Sequence, residues 1–259
     1  MKQDKYTEKL TYPVLGMTQL TAAAWSMTIG CPEIAQKAQP GQFVDLLPEG
    51  GFTLRRPISI AGIGEDTLRI VFEIRGEGTA EIAKLNEGDL IDMLAPLGHG
   101  FTLSEDFSKV VLIGGGIGTP PMLPLAKHYG EKATVISGFR NASAVILQED
   151  FKKTGAETIL CTDDGSMGVH GFVTQPLSEL AEQGGIDAVY ACGPMPMLKN
   201  IAAICKEKGI YCEISLEERM ACGIGACLGC ACKTVRNDEE YFAHVCKDGP
   251  VFKAEEVLF

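Results

Sequence analysis

Five of the ten cysteines, Cys222, Cys227, Cys230, Cys232 and Cys246, crowd into a tail that begins near residue 216. A segment of about 40 residues rarely buries enough apolar area to fold alone, so it needs a metal, disulfides or a neighbour to dock on. The start of the chain, Met1-Lys2-Gln3-Asp4-Lys5, does not read as a secretion signal, and nothing else points to an oxidising compartment. Disulfides are therefore the weaker explanation of the cysteines, and a metal or cluster site is the stronger one. The other five, Cys31, Cys161, Cys192, Cys205 and Cys212, are scattered.

The spacing narrows the chemistry. Cys222-x4-Cys227-x2-Cys230 followed by Cys246 is the plant-type ferredoxin arrangement of four thiolates around a [2Fe–2S] cluster. Gly223, Gly225 and Gly229 give the loop freedom to wrap a cluster with backbone N–H groups turned toward sulfur. A structural zinc site also uses four thiolates, but it usually takes two Cys-x2-Cys knuckles, which the x4 gap fits less well. Cys232 could substitute for a ligand, but its one-residue spacing from Cys230 favours a packed free thiol.

Upstream of the tail, residues 104–215 alternate strand and helix patterns. The strand candidates are 109–113, 133–137, 157–161, 187–191 and 211–215, with the clearest helix over 195–208. This pattern predicts an open parallel sheet with helices on both faces. The run Gly114-Gly115-Gly116-Ile117-Gly118-Thr119-Pro120-Pro121 directly follows the first strand. Its glycines would let a pyrophosphate approach the backbone, although the third glycine of GxGxxG is missing. Cys192-Gly193-Pro194 closes another strand, so it faces the same crevice at the carboxyl ends of the strands. Asp163 and Asp164 follow the third strand of this region, and Arg140 follows the second.

Residues 1–103 read as short strands at 6–15, 25–29, 43–46, 58–61, 68–74 and 90–94, with turn signals between them and one helical pattern at 79–85. That composition predicts a small antiparallel barrel. Arg56-Pro57-Ile58-Ser59 could serve a flat anionic cofactor, with the guanidinium on a diphosphate and Ser59 at the ring edge. Glu73-Ile74-Arg75 and Gly78-Thr79 would complete that pocket.

Taken in order, Arg56-Pro57-Ile58-Ser59, Gly78-Thr79, Gly114 to Pro121 and Cys192-Gly193-Pro194 resemble the ferredoxin–NADP reductase superfamily. The tail, from Arg219 to Cys230 and from Val245 to Phe252, resembles the electron-transfer subunit of class 1B dihydroorotate dehydrogenase. The resemblance covers essentially the whole chain. It implies a Greek-key FAD-binding barrel over 1–103, an NAD-binding α/β domain over 104–215 and a [2Fe–2S] domain over 216–259. It also implies that Gly115, Gly116, Gly118, Thr119, Pro120, Asp163, Cys192, Gly193 and Pro194 serve NAD, with Cys192 near the nicotinamide. In that family an FMN-containing catalytic partner oxidises dihydroorotate to orotate. Two copies of each chain are expected, acting in pyrimidine biosynthesis. Related subunits of NADH-dependent ferredoxin–NADP oxidoreductases share the architecture. In them the first cluster ligand can be an Asp, where this chain has Cys222.

Three readings follow. The leading one is an NAD-linked electron-transfer subunit. The second is an NADH-dependent reductase subunit delivering electrons to ferredoxin or sulfur. The third is a non-redox module with a zinc tail. A net charge of -11 argues against a nucleic-acid partner, and no apolar run is long enough to cross a membrane, so a cytoplasmic protein is expected. The four histidines, at 99, 128, 170 and 244, form no obvious constellation for acid–base work. Substrate oxidation is therefore expected on the partner.

Overall fold

The computed structural model describes residues 10–259, and the part of the first expected strand that precedes residue 10 lies outside them. Six strands close a barrel: β1 (Thr11–Gln19), β2 (Ala24–Gly30), β3 (Phe43–Leu47), β4 (Arg56–Ile63), β5 (Thr67–Glu73) and β6 (Leu90–Leu97). The strand order is β1-β2-β5-β4-β3-β6, and every pairing is antiparallel. Inward residues such as Val14, Met27, Ile29, Leu46, Ile60, Ile70 and Met93 fill the interior. Closure leaves no edge open to another strand. Two short helices interrupt the barrel, α1 (Pro32–Ala35) and α2 (Glu77–Ile82). The sequence pattern predicts only the second, and α2 starts at Glu77, two positions before the expected Thr79. The first is a single turn opened by Pro32, too short to show a helical period.

The second region carries β7 (Val110–Gly115), α3 (Met122–Tyr129), β8 (Ala133–Phe139), α4 (Gln148–Lys152), β9 (Glu157–Thr162), β10 (Val169–His170), α5 (Thr174–Gln183), β11 (Ala188–Cys192), α6 (Met195–Lys208) and β12 (Tyr211–Ser215). These strands run parallel. Both faces are covered, which is why the strands read as unbroken apolar runs. In β7, Val111 and Ile113 enter a core with α5, α6 and the tail, while Val110 and Leu112 enter one with α3 and α4. Barrel residues Ala61 and Val71 join the second core and fix the barrel against the sheet.

The tail adds a hairpin, β13 (Ala231–Arg236) with β14 (Glu239–His244), and a last strand, β15 (Val251–Lys253). β15 pairs antiparallel with β12, giving the sheet order β10-β9-β8-β7-β11-β12-β15. Cys230, Ala243, Val245, Cys246 and Val257 share one apolar core with Val189 and Ile214 of the sheet. The tail thus borrows its core from a neighbour, one of the routes open to so short a segment. No described helix is long and apolar enough to cross a membrane.

Candidate functional site

The strand order reverses between β7 and β11, and in an open sheet ligands sit outside the carboxyl ends of the strands at such a point. Gly114 to Gly118 leave β7 there, and Gly193-Pro194 leave β11. The two turns are pressed together. A Cβ on Gly115 would come within 2.6 Å of Met197 Sδ, and one on Gly118 would lie 2.7 Å from Gly193 Cα. Thr119 is fully buried behind the loop, and its Oγ1 has no hydrogen-bond partner. Gly116 leaves open space where a Cβ would stand, which fits close approach of an oxygen-rich ligand to the backbone.

A cavity of about 890 Å³ opens at this point, and Gly115, Gly116, Asp163, Gly193 and Pro194 line it. Gly118, Thr119 and Pro120 stand behind the lining. Cys192 is also set back: it is 1% exposed and lines neither this cavity nor its neighbour. Burial pushes its thiol up to about 12, and the Ser215 hydroxyl beside it acts the other way. It stays a thiol at neutral pH and supports the turn from below.

A second cavity, of about 210 Å³, lies on the barrel side. Pro57, Ile58, Ser59, Glu73, Arg75 and Thr79 converge on it, and Ser215, Leu216 and Pro250 close it from the sheet and tail. Three expected residues stay outside its lining. Ile74 is exposed, Gly78 lies flush against the Arg56 guanidinium, and Arg56 packs over the Phe52 ring at 5.4 Å. Arg56 Nη1 donates to Leu54 O at 2.7 Å and to Arg55 O at 3.2 Å. Thr79 Oγ1 accepts from Arg75 N and Gly76 N, at 2.9 and 3.2 Å, so α2 begins with these donors already satisfied.

Glu73, Arg75, Ile117 and Glu217 line both cavities. This common wall is where a group in one cavity would face a group in the other. Glu73 and Arg75 pair across it at 3.3 Å. Desolvation pushes the Glu217 carboxyl up; Arg75 opposes that shift and Glu73 adds to it.

At the other end, the four spaced cysteines stand as two pairs in side-chain contact, Cys222 with Cys227 and Cys230 with Cys246. Backbone N–H groups point at the sulfurs. Gly225 N donates to Cys246 Sγ at 3.1 Å, Gly229 N to Cys227 Sγ at 3.5 Å and Cys246 N to Cys230 Sγ at 3.5 Å. The backbone N–H groups of Ile224, Cys227 and Ala226 serve Cys222, whose thiol they draw down to about 6. Two thiol pairs with donors already aimed fit two irons, each held by one pair. Among the described residues, no three His, Cys, Asp or Glu groups converge as a single-ion site would require. Burial keeps Cys232 protonated, up to about 11, outside these pairs.

Residues 217–258 match the family model of the iron-sulfur cluster binding domain of dihydroorotate dehydrogenase B. A protein of Caldanaerobacter subterraneus subsp. tengcongensis, the electron transfer subunit of dihydroorotate dehydrogenase B (NAD(+)), is 41% identical over 253 residues, 97% of this chain and 99% of its own. Its counterpart in Fusobacterium nucleatum is 41% identical over 92% of this chain and 94% of its own. The chain belongs to this family of electron transfer subunits. An NADH-dependent reduced ferredoxin–NADP oxidoreductase structure superposes with a TM-score of 0.84 at 29% identity, covering 95% of this chain and 89% of that one. A ferredoxin NADP+ reductase from Neisseria gonorrhoeae, with a TM-score of 0.64 at 22% identity, covers 78% of this chain and 91% of its own and shares the fold.

Membership as an electron transfer subunit implies a catalytic partner. It also sharpens what the residue-by-residue reading missed. Glu217 and Ser215 lie at the junction of the sheet and tail, and no motif marks them. Phe172 lines the larger cavity although it is 69% exposed. An aromatic residue so exposed beside a loop of Gly and Asp was the one available signal. Met197, one turn into α6, packs under both glycine turns and is likewise invisible to spacing arguments.

Proposed function

We propose that this chain binds FAD, NAD and a [2Fe–2S] cluster and carries electrons from an FMN-containing dihydroorotate dehydrogenase subunit to NAD+, in a cytoplasmic assembly with two copies of each chain. The observation that carries the reading is the wall of Glu73, Arg75, Ile117 and Glu217 between the two cavities, together with a four-cysteine loop docked on the barrel and sheet. When bound, the cluster carries single electrons, the nicotinamide takes a hydride, and a flavin between them exchanges both.

The chain's own residues have definite tasks in this reading. Pro57, Ile58 and Ser59 would hold the flavin edge, and Arg56 with Gly78 its diphosphate. Gly115, Gly116, Gly193 and Pro194 would let the dinucleotide backbone approach, and Asp163 would take the ribose hydroxyls. Leu216, Ile117 and Pro250 would exclude water from the flavin cavity. Cys222, Cys227, Cys230 and Cys246 would hold the irons. Glu73 and Glu217 stand in the wall between the flavin and nucleotide cavities, which leaves proton removal from dihydroorotate to the partner in this reading.

Reconstitution tests the division of labour. The chain alone, with dihydroorotate and NAD+, should form no orotate, yet it should reduce artificial dyes with NADH. Adding an FMN-containing dihydroorotate dehydrogenase from the same source should start orotate formation. Orotate from the chain alone would refute the assignment. No gain on adding the partner would favour a ferredoxin or sulfur reductase subunit, the reading that the NADH-dependent reductase structure also suits.

A further inference from the structure

Among the described residues, two acids are buried, Glu213 and Asp45, and they are treated in opposite ways. Glu213, 4% exposed, accepts hydrogen bonds from Thr102 N at 2.8 Å, Thr102 Oγ1 at 2.6 Å and Tyr211 OH at 2.6 Å. Asp45, 1% exposed on β3, has a carboxylate oxygen, Oδ1, with no partner at all. The nearest cations, Arg55 and Arg56, favour its charge through space but give their hydrogen bonds to other groups. Arg55 bonds the backbone oxygens of Asp45 and Asp92 and the Asp92 carboxylate, and Arg56 bonds Leu54 O and Arg55 O. The other Asp45 oxygen lies so close to Gly223 that any side chain there would overlap it. Gly223 follows the first cluster cysteine and has φ +67. Asp45 also pairs in register with Pro57 on the flavin strand. An unpaired buried carboxylate is costly, so its persistence asks for a role.

We propose that the Asp45 carboxylate is a fixed negative charge beneath the cluster loop that lowers the reduction potential of the [2Fe–2S] cluster. It touches the loop at Gly223 and would act on the irons only through its charge, not as a ligand. A negative charge disfavours adding an electron nearby, and a dry surrounding screens that effect little. Burial raises the carboxyl to about 6 against the opposing charges of Arg55 and Arg56, so at pH 8 it is ionised. The inference rests on the cluster reading.

The test uses the full chain with its cofactors at pH 8. Iron and sulfide in the unmodified protein first check the cluster itself, separately from Asp45. Asp45→Asn keeps the shape and removes the charge, and Asp45→Ala removes both. Poised against a one-electron dye and followed by EPR of the reduced cluster, both variants should raise the reduced-to-oxidised ratio about tenfold, equivalent to ~59 mV. Iron, sulfide and FAD content should stay unchanged. An unchanged potential in cluster-loaded Asp45→Asn would overturn the proposal. Loss of the cluster from both variants would overturn it too, because the carboxylate would then be holding the loop up rather than acting by charge.

Discussion

Two glycine-dense loops serve this molecule, and they use glycine in different proportions. In the loop after β7, Gly114, Gly115 and Gly118 lack a Cβ because there is no room for one. Thr119, Met197 and the Cys192 carbonyl already fill that space. Only Gly116 of this run takes a positive φ, of 55. In the cluster loop, Gly223 and Gly225 take φ values of 67 and 77, which turn the chain back on itself. Gly229 there has ordinary space, with Cys227 Sγ as its nearest neighbour at 3.5 Å. The first loop is packed against buried parallel strands. The second is exposed, with Ile224 58% and Leu228 75% accessible. Glycine permits close backbone approach in both loops, since a Cβ on Gly223 would strike Asp45 and one on Gly225 would strike Lys247, and the second loop adds two left-handed turns to that.

That contrast predicts separable failures. The largest belongs to the cluster loop. Replacing Cys222, Cys227, Cys230 or Cys246 by Ser should abolish full iron and sulfide loading, while Cys232→Ser should keep it. Full loading in Cys246→Ser, or none in Cys232→Ser, would show that the thiol pairs are misassigned. Next is the barrel edge, which lies outside both loops. Arg56→Ala removes charge-assisted bonds worth on the order of 1.5–3 kcal/mol, so FAD affinity should fall about ten- to a hundredfold. Dilution followed by flavin fluorescence reads this directly, and normal FAD occupancy in dilute protein would contradict the placement. Gly118→Ala should then cost about 1–3 kcal/mol of packing at the two pressed turns. KM for NADH should rise about tenfold, with FAD, iron and sulfide contents unchanged. Loss of the cluster in that variant would mean that the two loops are coupled and the comparison fails.

Signals confined to a short stretch of chain were legible in the sequence, and meetings between distant stretches were not. The cysteine spacing, the apolar strand runs and the period of α6 each live within one segment, so Met195–Lys208 and Tyr211–Ser215 are found where their patterns lie. β10 escaped because it has only two residues, too few for any period. β15 escaped because its three residues are specified by pairing with β12 across the tail. Glu217 and Ser215 follow a strand without a motif, and only the meeting of sheet, tail and barrel brings them to the cavities. The family resemblance implies Cys192 near the nicotinamide. In the structure Cys192 belongs to the core shared with α3, where a small apolar thiol packs well.

The smallest predicted effect concerns nucleotide choice at the rim of the larger cavity. Asp163 and Asp164 follow β9, but they do not act alike. Asp164 Oδ1 accepts from Ser166 N at 2.9 Å and Ser166 Oγ at 2.6 Å, and these bonds hold its carboxyl below the usual range. Asp163 lines the cavity, and Arg140 lines it from the end of β8. A 2′-phosphate there would meet a carboxylate that repels it and a guanidinium that attracts it, whereas a 2′-hydroxyl could donate to Asp163. The chain should therefore prefer NADH. Because Asp163 is exposed, solvent and salt screen its charge, so Asp163→Asn should raise kcat/KM for NADPH relative to NADH only about two- to fivefold. Arg140→Ala should move the ratio the other way, and both shifts should shrink at high ionic strength. Diaphorase kinetics with the two nucleotides measure all of this, and equal kcat/KM values in the unmodified chain would remove Asp163 from the ribose site.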